Sequence, residues 1–286
     1  LQGSALARMI FGVTLILGGT LGLVVVLQQI VAALFGPTPD MGAQRTVSTV
    51  GPVLLAAMVF GTYILYHRVV NDCWPVDLRA INLGRDLGGG TLAGAGLFTV
   101  ALGAVWLAGG YSVIAVNPLW IVLPAVTGVV FFVGIEETIN RGIILPELES
   151  RLGSWVALVF SSVIFTAYHI VLTTNPTAVA IGVIFGASIL IAGAYLLTRQ
   201  LWLPIALHAG WNFTQGAIFG VAVSGNDASS VALLVGESAG PVWLSGGQYG
   251  LEGSVVTLAV VTLAGAAVVW QFHRRGLAVP RSWPRR

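Results

Sequence analysis

The stretch GIEETINRG, Gly134 to Gly142, sets two adjacent glutamates and an arginine inside an apolar run otherwise long enough to cross a bilayer. A carboxylate or guanidinium at mid-bilayer costs about 3 kcal/mol even on lenient insertion scales, so such charges face a protein interior or a wet cavity. The rest of the chain supports the membrane reading. It has 286 residues, is 56% hydrophobic and only 8% charged, and its apolar runs of about 20 residues match a bilayer-spanning helix. Bounded by Gly, Pro or charge, these runs predict spans near 9–34, 49–70, 91–109, 119–145, 154–172, 178–198, 201–221 and 254–272. The expected fold class is all-α: a polytopic membrane protein of about eight transmembrane helices with an intramembrane polar site. Residues 1–118 would hold the N-terminal helices and an interfacial segment, and 119–221 a helical core carrying the charged motifs. Residues 222–286 would hold an outer loop, the last span and an arginine-rich tail, the whole forming one membrane domain.

Every basic residue is arginine, and the placement of these residues reports topology. With both ends cytoplasmic, the inside segments hold Arg8, Arg68, Arg79, Arg85, Arg151, Arg199, Arg274, Arg275, Arg281, Arg285 and Arg286, and the outside loops only Arg45. That asymmetry is the positive-inside pattern. The arginines form no single patch of the kind that binds nucleic acid. The segment 71–90 mixes Trp74, Leu78, Ile81 and Leu83 with charges and reads as a strip at the cytoplasmic interface or as a plain connection. The loop 222–252 carries Asp227, Glu237 and Glu252 without a base, which suits the outer side. Gly182 and Gly186 form a small-xxx-small packing pair. The single Cys73 excludes an internal disulfide and a thiolate cluster, and reads as a passive loop thiol. The opening LQGSALA does not start with methionine, and its first residues are set aside from the fold reasoning.

Glu137 and Arg141 are four residues apart on one helix face, acid first, the favourable order for an ion pair. Glu136 points about 100° away and is left free. In the next span Phe165 and His169 share a face, and in the seventh His208 and Asn212 do. Counted from Gly153, Glu136 is 17 residues back and His169 is 16 forward, so an antiparallel hairpin turning there brings both to nearly one depth. A glutamate and a histidine at matched depth can work as an acid–base pair, while His208 and Asn212 can donate to one oxygen. Read without chemistry, the same residues are a buried ion cluster and interhelical hydrogen bonds. The cavity they share is expected to open to the cytosol, and Pro146 to kink the helix near its exit. His67 and His273, beside arginines at span ends, read as snorkelling side chains.

The ordered trio EETINR, FTAYH and HAGWN, that is EExxxR, FxxxH and HxxxN on separate spans, resembles the CAAX-processing and bacteriocin-processing (Abi) family of intramembrane proteases, related to the Ras-converting prenyl endopeptidases. The resemblance covers roughly Leu119 to Phe219. It implies an intramembrane endopeptidase of a membrane-embedded, prenylated or leader-peptide substrate, with the bilayer as its other partner, in the plasma (inner) membrane of a prokaryote. It also implies that Glu136 and His169 activate water, that His208 and Asn212 stabilise the oxyanion, and that Glu137, Arg141 and Phe165 support the site. Peptide hydrolysis needs such a base and such donors. The expected mechanism is that of a glutamate protease without cofactor. The alternative is metalloprotease-like, with zinc held by Glu136, His169 and His208. A non-proteolytic immunity or scaffold protein, or a transporter, stays open as a different class.

Overall fold

The computed structural model describes residues 4–36, 40–173, 176–228 and 231–281. Arg285, Arg286 and the first three residues lie outside these. Ten α-helices occur in chain order among the described residues: α1 (Ala5–Phe35), α2 (Met41–Val70), α3 (Leu83–Leu107), α4 (Leu123–Glu137), α5 (Leu145–Leu152), α6 (Ser154–Leu172), α7 (Ala178–Thr198), α8 (Trp202–Asn212), α9 (Val242–Ser245) and α10 (Val255–Arg274). Helices dominate because lipid offers no partner to a backbone N–H or C=O, so each span must satisfy its own. Large apolar side chains such as Leu21, Leu92 and Leu107 point outwards from the bundle, as lipid-facing side chains do.

Seven helical runs among the described residues are long and apolar enough to cross a membrane, the fourth running from Leu119 to Leu152. The seventh of the eight expected spans, 201–221, differs. Its α-helix is only the 11 residues of α8, continued by a π-helical turn, Phe213–Ile218. A second π-helical turn, Thr138–Ile144, joins α4 to α5 and stands where a kink at Pro146 was expected. Pro146 lacks an N–H and crowds the carbonyl one turn back, which a wider turn accommodates. α2 and α3 start eight residues before the expected spans, at Met41 and Leu83. Arg45 therefore sits in the first turns of α2, over the Trp120 ring at 4.0 Å, rather than in a loop.

The stretch 222–252, expected to be a loop, carries β2 (Leu234–Ser238) and α9. β2 pairs antiparallel with β1 (Tyr111–Val116), with a bulge between Val113 and Ala115. Both strands lie at the arginine-poor end, with Trp106, Trp120 and Trp243 nearby in the chain. Arg8, Arg68, Arg79, Arg85, Arg151, Arg199, Arg274, Arg275 and Arg281 belong to the opposite end with Trp74, Trp155, Trp202 and Trp270. Tryptophans grouped near both ends match interfacial belts. The arginine-rich end is knitted by Arg8 to Glu147 at 2.6 Å, Arg199 to Glu149, and the Val279 N–H to the Ser154 hydroxyl at 2.8 Å. In the interfacial segment Asp77 is buried and accepts from the Tyr63 hydroxyl at 2.6 Å, while Ile81 stays exposed. Burial pushes the Asp77 carboxyl above its ordinary value, against the pull of that hydroxyl.

Two helix pairs position the site by close approach at glycines. Gly182 and Gly186 on α7 face Leu258 and Val261 of α10, as the small-residue spacing predicted. The other pair carries no such expectation: Gly90 and Gly94 on α3 meet the Leu203 and Leu207 carbonyls of α8, and Gly210 meets that of Thr91. Small residues at both faces let the short α8 lie directly on α3. A β-carbon on Gly94 would overlap the Leu207 carbonyl, whereas one on Gly96 of the same helix would meet nothing. Gly94→Val should therefore destabilise the detergent-solubilised protein by about 1–3 kcal/mol, seen as a lower Tm, and Gly96→Val should leave Tm almost unchanged. Equal Tm for the two would show that α3 and α8 do not need this contact.

Candidate active site

The site begins with the pair that sequence spacing predicted. Arg141 meets Glu137 at 3.2 Å, both side chains fully buried. Leaving a desolvated pair half-satisfied is costly, and further partners complete it. Arg141 donates to the Ser188 hydroxyl at 2.8 Å and the Ser188 carbonyl at 3.1 Å on α7, and its guanidinium lies 4.5 Å over the Phe165 ring on α6. Glu137 Oε1 also accepts from Nδ1 of His208, 2.8 Å away on α8. Three helices are thus pinned to one residue pair.

With Glu137 fixed, Glu136 is rotated into a cavity and keeps 26% side-chain exposure. Its Oε1 stands 3.9 Å from Nε2 of His169, and its Oε2 stands 3.8 Å from Nε2 of His208. The expected depth match of Glu136 and His169 is therefore met. Nδ1 of His169 donates to the Phe165 carbonyl at 2.9 Å, which turns Nε2 towards Glu136. Asn212, one turn beyond His208, places its amide nitrogen 3.3 Å from Nε2 of His208. Glu136, Phe165, His169, His208 and Asn212 all line one cavity of about 490 Å³.

The alternative ligand set for zinc was Glu136, His169 and His208. Among the described residues no three His, Cys, Asp or Glu side chains form a group able to hold a metal ion. Nδ1 of His208 is already engaged by Glu137 at 2.8 Å.

Residues 117–214 match the family described as type II CAAX prenyl endopeptidase Rce1-like. The match spans about a third of the chain, and over that segment the chain is similar to this family. No curated protein and no solved structure matches the chain. The matched segment starts just before α4 and ends two residues past Asn212, so it contains every motif residue of the cavity.

Part of the cavity wall lies beyond that segment and carried no motif. Glu252 and Ser224 line it from the chain between α8 and α10, where Glu252 Oε2 accepts from the Ser224 N–H and hydroxyl, each at 2.8 Å. Burial pushes the Glu252 carboxyl above its ordinary value, against the pull of Ser224. In the sequence Glu252 stands three residues before the last span and looks like a helix-start acid, yet Ser254 caps α10. Gln215, also missed, is fully buried and ties the wall to α8: it accepts from Trp211 Nε1 at 2.7 Å and donates to the Ala222 carbonyl at 2.6 Å. The sequence-predicted exit of the cavity at the arginine-rich end is not where the lining leads, since Ala125, Leu172, Thr173 and Asn226 belong to the opposite end.

Removing one partner of a buried pair costs about 3–5 kcal/mol. Arg141→Ala, which strands Glu137, should lower the Tm or yield of the solubilised protein accordingly. A variant that is inactive but as stable as wild type would instead give Arg141 a part in the chemistry.

Proposed function

We propose that the chain is an intramembrane endopeptidase that hydrolyses a peptide bond in a membrane-associated substrate. The observation that carries this reading is Glu136, standing between two imidazole nitrogens at 3.9 and 3.8 Å on the wall of a largely apolar cavity. Groups that far apart can both touch one water. With Nδ1 of His169 donating to Phe165, its Nε2 carries a lone pair, so this water can point one hydrogen at Glu136 and the other at His169. As water attacks the scissile carbonyl carbon, its proton passes to this pair and then to the leaving amine, while the C–N bond breaks.

The tetrahedral oxyanion needs donors at about 2.7–3.1 Å. The Asn212 amide supplies one. His208 supplies a second from Nε2 only when both ring nitrogens carry protons, because Nδ1 already donates to Glu137. Glu137 at 2.8 Å and Glu136 at 3.8 Å offset the imidazolium charge. Glu137 is therefore a positioning residue that fixes the orientation of His208, and Arg141 holds Glu137 in place.

Three outcomes test the reading. Membranes carrying wild type and Glu136→Ala are compared by proteomics for a chain cleaved only by wild type. An identical set of fragments would sink the endopeptidase. With that substrate in hand, Asn212→Ala should lower kcat by about 10² to 10³ with KM near normal, as loss of one oxyanion donor does. Activity should also survive exhaustive chelation, and its loss with recovery on adding zinc would overturn the metal-free mechanism.

A further inference from the structure

The cavity has a direction. Beyond Glu136 and the two histidines, its lining is drawn from the start of α4 (Ala125), the end of α6 (Thr173), and the chain that follows α8 (Ser224, Asn226), with Glu252 just before α10. All of these lie at the arginine-poor end. Towards the other end the way is filled. Below Glu136 come the buried Glu137, Arg141 and Ser188, and then a core cluster including Tyr63, Leu145, Tyr195 and Leu201. Nine described arginines stand at that closed end and Arg45 alone at the open one. The excess of arginine marks the cytoplasmic side.

The mouth also has a lateral part. α4 packs on α2 and α8, and α6 on α5 and α7, so α4 and α6 are not packed along each other. Phe132 of α4 and Leu172 of α6 line the cavity and are also 63% and 77% exposed on the bundle surface, where lipid would lie. An apolar chain can pass between them without crossing a polar rim.

We infer that the site takes its substrate from the extracytoplasmic half of the membrane: an apolar, membrane-embedded polypeptide whose scissile bond enters from the arginine-poor side, not the lipidated tail of a cytosolic protein. The assignment of a scissile bond rests on the endopeptidase reading, whereas the direction of access rests on the cavity and the arginines alone. Ser224 and Asn226 make the outer mouth polar, so a water-borne reagent reaches the cavity from that side. Glu252, fastened to Ser224, holds the chain after α8 as the outer wall of the entrance.

The chain carries its own reporter of sidedness, the exposed Cys73 at the arginine-rich end. A membrane-impermeant cationic thiosulfonate is applied to spheroplasts and to inverted vesicles. One sample is wild type, and the other is Ala187→Cys in a Cys73→Ser background, Ala187 being a cavity-wall residue outside the proposed chemistry. Expected is loss of free thiol at position 187 in spheroplasts only and at Cys73 in inverted vesicles only. Ala187→Cys modified from the cytoplasmic face, or from neither, overturns the inference. Asn226→Cys at the mouth repeats the measurement should Ala187→Cys fail to fold. In proteoliposomes oriented by Cys73 labelling, a farnesylated C-terminal peptide offered on the Cys73 side should stay intact, and its hydrolysis would refute the inference while upholding the endopeptidase. Labelling from outside in a protein that cleaves nothing would leave the access intact and remove the proposed activity.

Discussion

One ion pair, Glu137 with Arg141, fixes the geometry on which the rest of the site depends. Neither side chain reaches solvent or lipid, so each must find every partner inside the bundle. Those partners are Ser188 on α7, the Phe165 face on α6 and His208 on α8. A pair that satisfied itself on its own helix would leave the neighbours free to slide, whereas this one cannot be completed unless three helices arrive in register. Such a cluster adds little net stability over apolar packing of the same volume. It specifies one arrangement, because any other leaves a charge unpaired in a low dielectric.

The cost of building a site in lipid appears in the irregular backbone around it. α8 is too short to span a bilayer and the chain after it is not helical throughout, a geometry tolerated at membrane depth only where protein covers it or a cavity lies beside it. Gln215, Ser224 and Glu252 supply the partners for that stretch. The π-helical turn after Glu137 has a related effect. It shifts the helix phase between Glu137 and α5, so Glu147 and Glu149 can face Arg8 and Arg199 while Arg141 still reaches Ser188.

The spans and the core of the site were legible because both follow helical arithmetic. Residues four apart share a face, which is why Glu137 with Arg141, Phe165 with His169, and His208 with Asn212 came out as neighbours. Nearly equal counts from the turn at Gly153 placed Glu136 beside His169 for the same reason. Helical arithmetic stops where the chain leaves the regular helix. Counting residues cannot show that the seventh span breaks, that 222–252 folds into β2 and α9, or that Glu252 turns inwards, since these depend on contacts distant in sequence. The role of Gly90, Gly94 and Gly210 was hidden in a glycine-rich run that looks like any membrane helix until α8 is laid against it. Depth was readable and direction was not. The histidines could be ranked by distance from a turn, but which end of the bundle is sealed is decided by how Tyr63, Tyr195 and Leu201 pack.

The two adjacent glutamates show how one dipeptide supplies both order and reactivity. Successive residues on a helix diverge by about 100°, so an acid held by an arginine makes its neighbour point elsewhere. Glu137 is held and Glu136 is aimed, and neither role could be moved to the other position without rotating the helix and losing Arg141. A carboxylate beside two imidazoles is tolerable in a cavity open to water. On the proposed reading, an apolar segment entering between α4 and α6 would displace all but the water held by Glu136 and His169 and lower the local dielectric, which strengthens each interaction among Glu136, His169 and His208. The substrate would thereby complete the dry environment in which the carboxylate acts most strongly as a base. The walls that make this possible, Phe132 and Leu172 among them, are apolar side chains whose positions follow from the helices that the buried ion pair keeps in register.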